Sequence, residues 1–106
     1  MTHRVRLTRS AERDRNRAIA WYDAEAPDQT ERFIDDFYVA ARRLEEFPHS
    51  GPVVRSGARR VSLRLFPYQL WYRVHDEAKV VEIIAVLHHR QDPERLNDRL
   101  SRQPGE

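Results

Sequence analysis

The stretch RRVSLRLFPYQLWYRVHDEAKVVEIIAVLHH, residues 59–89, decides the class of fold. Within it Val61, Leu63 and Leu65 alternate with Arg60, Ser62 and Arg64, and Leu70, Tyr72 and Val74 alternate with Gln69, Trp71, Arg73 and His75. A period of two marks a half-buried strand. Asp76-Glu77-Ala78 predicts a tight turn. Lys79–His88 predicts a further strand, with Val81, Ile83, Ala85 and Leu87 on one side and Val80, Ile84 and Val86 on the other. A strand that is apolar on both sides belongs in the middle of a sheet.

Upstream the period lengthens to that of a helix. Phe33, Ile34, Phe37, Ala40, Ala41 and Leu44 form one continuous stripe; Asp28 and Glu31 resemble a capping box at its start, and Pro48 stops it. Before it, Ser10 predicts an N-cap, Glu12 and Asp14 suit the first turn, and Ala11, Ala18, Ile19 and Tyr22 follow helical spacing towards Ala26-Pro27. Two helices joined by about three residues must pair as an antiparallel hairpin. Arg4–Thr8 alternates as a first strand, and residues 48–58, with two Gly and two Pro, read as a loop. Asp92-Pro93 opens a short helix through Leu96 and Leu100, and the 101–106 tail should fray. The order is β-α-α-β-β-β-α. It predicts an α+β fold, with the helical hairpin packed on one face of a mostly antiparallel four-stranded sheet.

The 106 residues allow a single domain, 1–106, with an ordered core of about 3–100, burying roughly two thirds of its unfolded surface. There is no Cys, which excludes disulfides, Cys-ligated zinc, iron–sulfur clusters and thiol nucleophiles. No apolar run approaches the roughly 18 residues of a membrane span, and no signal peptide is visible, so a soluble, cytoplasmic protein without membrane contact is expected. The net charge is only +2, yet it is segregated. Residues 47–75 hold Arg55, Arg59, Arg60, Arg64 and Arg73 with no acid, whereas residues 12–46 hold ten acids against six Arg. An arginine-rich middle segment between acidic flanks suggests an anionic partner.

Strand parity places Arg60, Ser62, Arg64, Gln69, Trp71, Arg73, His75, Glu82 and His88 on the face away from the helices. Arg forks bind phosphate and Trp stacks on a base, so this face could hold nucleic acid; an ordinary solvated sheet face would carry similar residues. The adjacent His88 and His89 point to opposite sides of a regular strand and cannot chelate a metal together. No metal and no cofactor is expected. Tyr38 falls off the apolar stripe and is the surface candidate among the helix aromatics, while Phe33 and Phe37 belong to the core.

Several motifs together resemble the RelE/ParE superfamily of toxins from bacterial type II toxin–antitoxin modules. They are Ser10-Ala11…Asp14…Ile19…Tyr22, Leu44-Glu-Glu-Phe-Pro48-His-Ser-Gly51, Phe66-Pro67-Tyr68…Trp71-Tyr72-Arg73-Val74, and Ala85-Val86-Leu87-His88-His89-Arg90-Gln-Asp92-Pro93, in this order over about residues 3–100. The ending looks closer to the ParE branch. The resemblance implies the fold above and a growth-inhibiting, plasmid-stabilising toxin that poisons DNA gyrase. It also implies neutralisation by an antitoxin encoded by a neighbouring gene, in a 2:2 or larger complex, and the arginine-rich segment predicts that this antitoxin is acidic. The alternatives are a RelE-like endonuclease cutting mRNA on the ribosome without a metal, or a non-toxic binding member, so enzymatic activity stays open. For a nuclease, Arg64 and Arg73 would supply cations and His88 the acid or base. Arg59, Arg60, Trp71, Tyr38 and Arg90 are the candidates for contact with target or antitoxin.

Overall fold

The first helix starts where a side chain can close its first turn. In the computed structural model, which describes residues 2–101, α1 spans Arg9–Glu25. The Thr8 hydroxyl accepts the Ala11 N–H at 3.1 Å, so Thr8 and not Ser10 is the N-cap. The second helix, α2 (Thr30–Glu46), has no side-chain cap. A 3-10 turn at Pro27–Gln29 leads into it, with the fixed φ of Pro27 beginning that turn, and the Asp28–Glu31 capping box does not form. The two helices bury Ala11, Ala18 and Tyr22 from one, and Phe33, Phe37, Ala41 and Leu44 from the other. Tyr22 stacks on Phe33 at 5.1 Å, and Phe66 meets both rings edge-on.

The sheet has five strands, one more than the sequence pattern suggests: β1 (Arg4–Leu7), β2 (Val53–Arg55), β3 (Ala58–Ser62), β4 (Tyr68–His75) and β5 (Val80–His88). Their order is β1-β5-β4-β3-β2. β1 runs parallel to β5 and every other pairing is antiparallel. The extra strand lies inside the predicted 48–58 loop and is too short to show a period. β3 also ends earlier than expected, at Ser62. Buried Asp36 of α2 accepts the Leu65 and Phe66 N–H groups at 2.9 and 3.0 Å, which draws the chain out of the ladder. Leu65 therefore points to solvent, 66% exposed, instead of facing the helices.

A single residue inverts half of β5. Trp71 pairs with Ala85 but Tyr72 pairs with Ile83, leaving Ile84 as a bulge. Val81 and Ile83 face the helices as parity demands. Past the bulge Val86 joins them, while Ala85 and Leu87 turn to the opposite face. His88 is carried to the helix side, where its ring lies edge-on to Tyr68 at 5.1 Å. Ala58, Trp71, Ile84, Ala85 and Leu87 then make a second core on the face expected to be open.

That face is covered by the C-terminal segment. A 3-10 turn at Pro93–Leu96 and a single helical turn, α3 (Asn97–Leu100), place Leu96 and Leu100 over Trp71, which is 1% exposed. Burying each leucine contributes about 1.5–3 kcal/mol, enough to hold one turn of helix that could not persist alone. The tail expected to fray lies, beyond Ser101, outside the described residues.

Candidate functional site

The Pro48-His-Ser-Gly51 loop is fastened from three directions. Gly51 donates its N–H to the Tyr72 hydroxyl at 3.0 Å, and a Cβ there would lie 2.7 Å from the Arg60 carbonyl oxygen and 2.8 Å from Tyr72 Oη. Only glycine fits. Arg59 donates to the His49 and Gly51 carbonyls at 3.2 and 2.7 Å, so its guanidinium is used within the loop. The Asp76 carboxylate accepts from His49 and His3 Nε2, both at 3.1 Å, and these imidazoles hold its carboxyl below the usual carboxylate range.

The second constructed region is the edge of β5 beyond β1, where no strand pairs. Asp14 of α1 accepts the Val86 N–H at 3.0 Å and a two-pronged contact from Arg99 at 2.6 and 3.1 Å. Arg99 also donates to the Ile84 carbonyl at 3.2 Å, and the Gln91 side chain accepts the His88 N–H at 2.8 Å. Side chains thus satisfy the bare edge, which removes a template for unwanted pairing. Beside it runs a groove of about 570 Å3 walled by Trp21, Tyr22, Tyr68 and His88. Burial, aided by Arg90 and His89, lowers the His88 pKa. Its Nδ1 accepts the Arg90 N–H at 3.1 Å, which also requires an unprotonated nitrogen.

The sequence-derived site residues do not converge. His88 lies on the helix side of the sheet and Arg73 on the other, donating to the Ser56 carbonyl at 3.1 Å and to the Leu100 carbonyl. Arg64 is outside the sheet, against α2, beside Asp36 and Val39. Arg60 sits over the Trp71 ring at 5.6 Å, and Trp71 itself is sealed beneath Leu96 and Leu100 rather than open for stacking. Arg90 occupies the exposed turn after β5, and Tyr38 is exposed on α2, as its place off the stripe suggests. Glu82, the acid expected on the arginine face, is buried and accepts from Arg6 at 3.0 Å and His75 at 3.2 Å. Among the described residues no group of three His, Asp or Glu side chains is placed to hold a metal ion, and no helix is long and apolar enough to cross a membrane.

The sequence pattern gives Asp36 and Arg99 no role and places Asp14 in the first turn of the helix, whereas with Thr8 as N-cap only Glu12 lies there and Asp14 serves the β5 edge. The available signal was an acid on a buried helical face: Asp36 adjoins Phe37 in the stripe, where an unpaired carboxylate would be too costly to bury.

With this geometry in view, comparison with known proteins identifies the relatives. Residues 5–93 match the family described as the ParE toxin of the type II toxin–antitoxin system parDE. The chain is 32% identical over 102 residues to Toxin ParE2 of Mycobacterium tuberculosis, covering 95% of both chains. Its fold resembles that of a chain in the chromosomal ParDE toxin–antitoxin system from P. aeruginosa, with a TM-score of 0.71 at 19% identity, covering 82% of this chain and 96% of that one. A chain in the RelBE2 toxin–antitoxin complex from Mycobacterium tuberculosis matches at a TM-score of 0.57 and 26% identity, covering 83% and 99%. The chain belongs to the ParE family of type II toxin–antitoxin toxins, within the wider RelE/ParE group of folds.

Proposed function

We propose that this protein arrests growth by binding DNA gyrase without cutting nucleic acid itself, and that a neighbouring gene encodes the acidic antitoxin that neutralises it. The pair would act in the cytoplasm as a 2:2 or larger assembly and stabilise the plasmid or locus that carries it. The observation that carries the non-cleaving reading is the dispersal of Arg64, Arg73 and His88 over three separate surroundings. In-line attack by a 2′-hydroxyl needs a base, cations and an acid converging on one phosphate, with donors about 3 Å from the developing charge. Here Arg73 spends hydrogen bonds on backbone carbonyls on one face, and His88 lies on the other with Nδ1 already accepting a backbone N–H.

The competing nuclease reading is favoured by the 26% identity to a chain of a RelBE2 complex. Two cultures separate these possibilities. Induction alone should stop growth and trigger a DNA-damage response, and co-expression of the adjacent gene should restore growth. Codon-boundary cuts in mRNA on translating ribosomes, abolished by His88→Ala, would establish the nuclease instead.

A further inference from the structure

Two adjoining clefts of about 410 and 360 Å3 flank α2, the first against the chain that follows β3 and the second against β3 and the Gly51 loop, and they share Val39 and Arg64 as walls. The first is closed by Leu65 and the second by Arg43. Val39 is 44% exposed, and among the described residues the Arg43 and Arg64 guanidiniums make no hydrogen bond or ion pair. Exposed leucines at loop tips are common, but this one is held in place. Asp36, buried beneath it, accepts both the Leu65 and Phe66 N–H groups. Phe66 is thereby turned into the ring cluster of Tyr22 and Phe33, and Leu65 is fixed outward. A buried carboxylate thus preorganises an apolar side chain in water, next to two uncommitted cations.

We propose that this groove seats an acidic segment of the antitoxin, placing a carboxylate between Arg43 and Arg64 and an apolar side chain against Val39 and Leu65. The proposal rests on the antitoxin reading given above and specifies where that partner is held. Charge selects the partner: the two arginines favour a carboxylate, which a guanidinium fork grips in a bidentate way. A nucleic-acid strand fits less well. Neither Leu65 nor Val39 offers a flat ring on which a base could stack. Apolar shelves flanked by arginine match an amphipathic protein segment with hydrophobic anchors.

The test uses a fluorescein-labelled peptide of about 15 residues, with Glu and Leu at helical spacing, read by fluorescence anisotropy. A Lys/Leu peptide of the same pattern and a single-stranded oligonucleotide serve as competing probes. The acidic peptide should bind the intact chain most tightly and weaken as salt is raised. The double variant Arg43→Glu/Arg64→Glu should lose about tenfold in affinity and Leu65→Asn about fivefold, while Arg17→Glu, on the far groove, should change it less than twofold. All these side chains except that of Leu65 are ordinary surface charges, and unchanged thermal melting confirms that each variant folds. Equal binding to the double variant, no binding to the parent, or preference for the oligonucleotide would overturn the proposal. A capture arm with the adjacent-gene product separates the two readings. If that product captures parent and double variant alike, the groove assignment is wrong and the antitoxin reading stands. If the peptide results hold but the product captures neither protein, the groove stands and that gene is not the antitoxin.

Discussion

Removing the Asp14 carboxylate should unfasten the C-terminal segment from the rest of the molecule. Asp14 and Arg99 have side chains only 8% and 25% exposed, and they join α1, the bare edge of β5 and α3 through four hydrogen bonds. Asp14→Ala orphans the Val86 N–H, which costs about 1–3 kcal/mol, and leaves a half-shielded guanidinium without its counter-ion. Loss of one partner from a buried pair costs about 3–5 kcal/mol; because Arg99 retains some water, the lower figure of about 3 kcal/mol applies. At about 4 °C or more per kcal/mol for a chain of this size, the melting temperature should fall by about 12 °C. Asp14→Asn keeps an acceptor for Val86 and should lose roughly half as much. Thermal and urea denaturation followed by circular dichroism give these values. A double-mutant cycle with Arg99→Ala should yield a coupling above about 1 kcal/mol. Tryptophan emission in a Trp21→Phe background adds a local readout, since Trp71 should redden if Leu96 and Leu100 lift away. A loss under about 1 kcal/mol for Asp14→Ala, or additive effects of the two substitutions, would refute the reasoning.

Three further outcomes follow from the geometry. Gly51→Ala must displace a strand carbonyl and should destabilise by about 1–3 kcal/mol in denaturant titration, and combining it with Tyr72→Phe should cost less than the sum because both act on one contact. Asp36→Ala should accelerate amide hydrogen exchange at Leu65 and Phe66, whereas Asp36→Asn, which keeps an acceptor oxygen, should largely spare it. The folded state disfavours protonated His88, so stability should be fully present above the ordinary imidazole value of about 6.5 and fall as pH drops through the lowered native value. In His88→Gln that slope should flatten, as measured by melting temperature against pH.

The hairpin and the antiparallel strands were legible because their signals are periodic and local. The stripe from Phe33 to Leu44 admits one helical face, and Leu70, Tyr72 and Val74 admit one strand face. The faces of β5 were not legible past Ile83. Val80 to Leu87 is apolar at every position except Glu82, so neither parity is penalised and nothing in the local sequence announces the bulge at Ile84. That one inserted residue moved His88 away from the arginines. The cover over Trp71 has a trace in the sequence: a strand apolar on both sides needs a second covering layer, and Leu96 and Leu100 are apolar residues of the short helix that follows it. The arginine segment is free of acids, but its residues separate in space. Arg59 and Arg73 serve backbone carbonyls, Arg60 covers a tryptophan, and Arg64 stands at the α2 groove. Charge counted along a chain does not show which cations the fold will use.

We propose a toxin that binds gyrase and cleaves nothing. Purified protein titrated into a gyrase supercoiling reaction tests it most directly, with the RNA of a parallel translation reaction examined for cuts. Supercoiling should be inhibited in proportion to added protein and relieved when the antitoxin is supplied, and the RNA should stay intact. Full supercoiling activity in large excess of the protein, with cuts appearing in the mRNA, would contradict it.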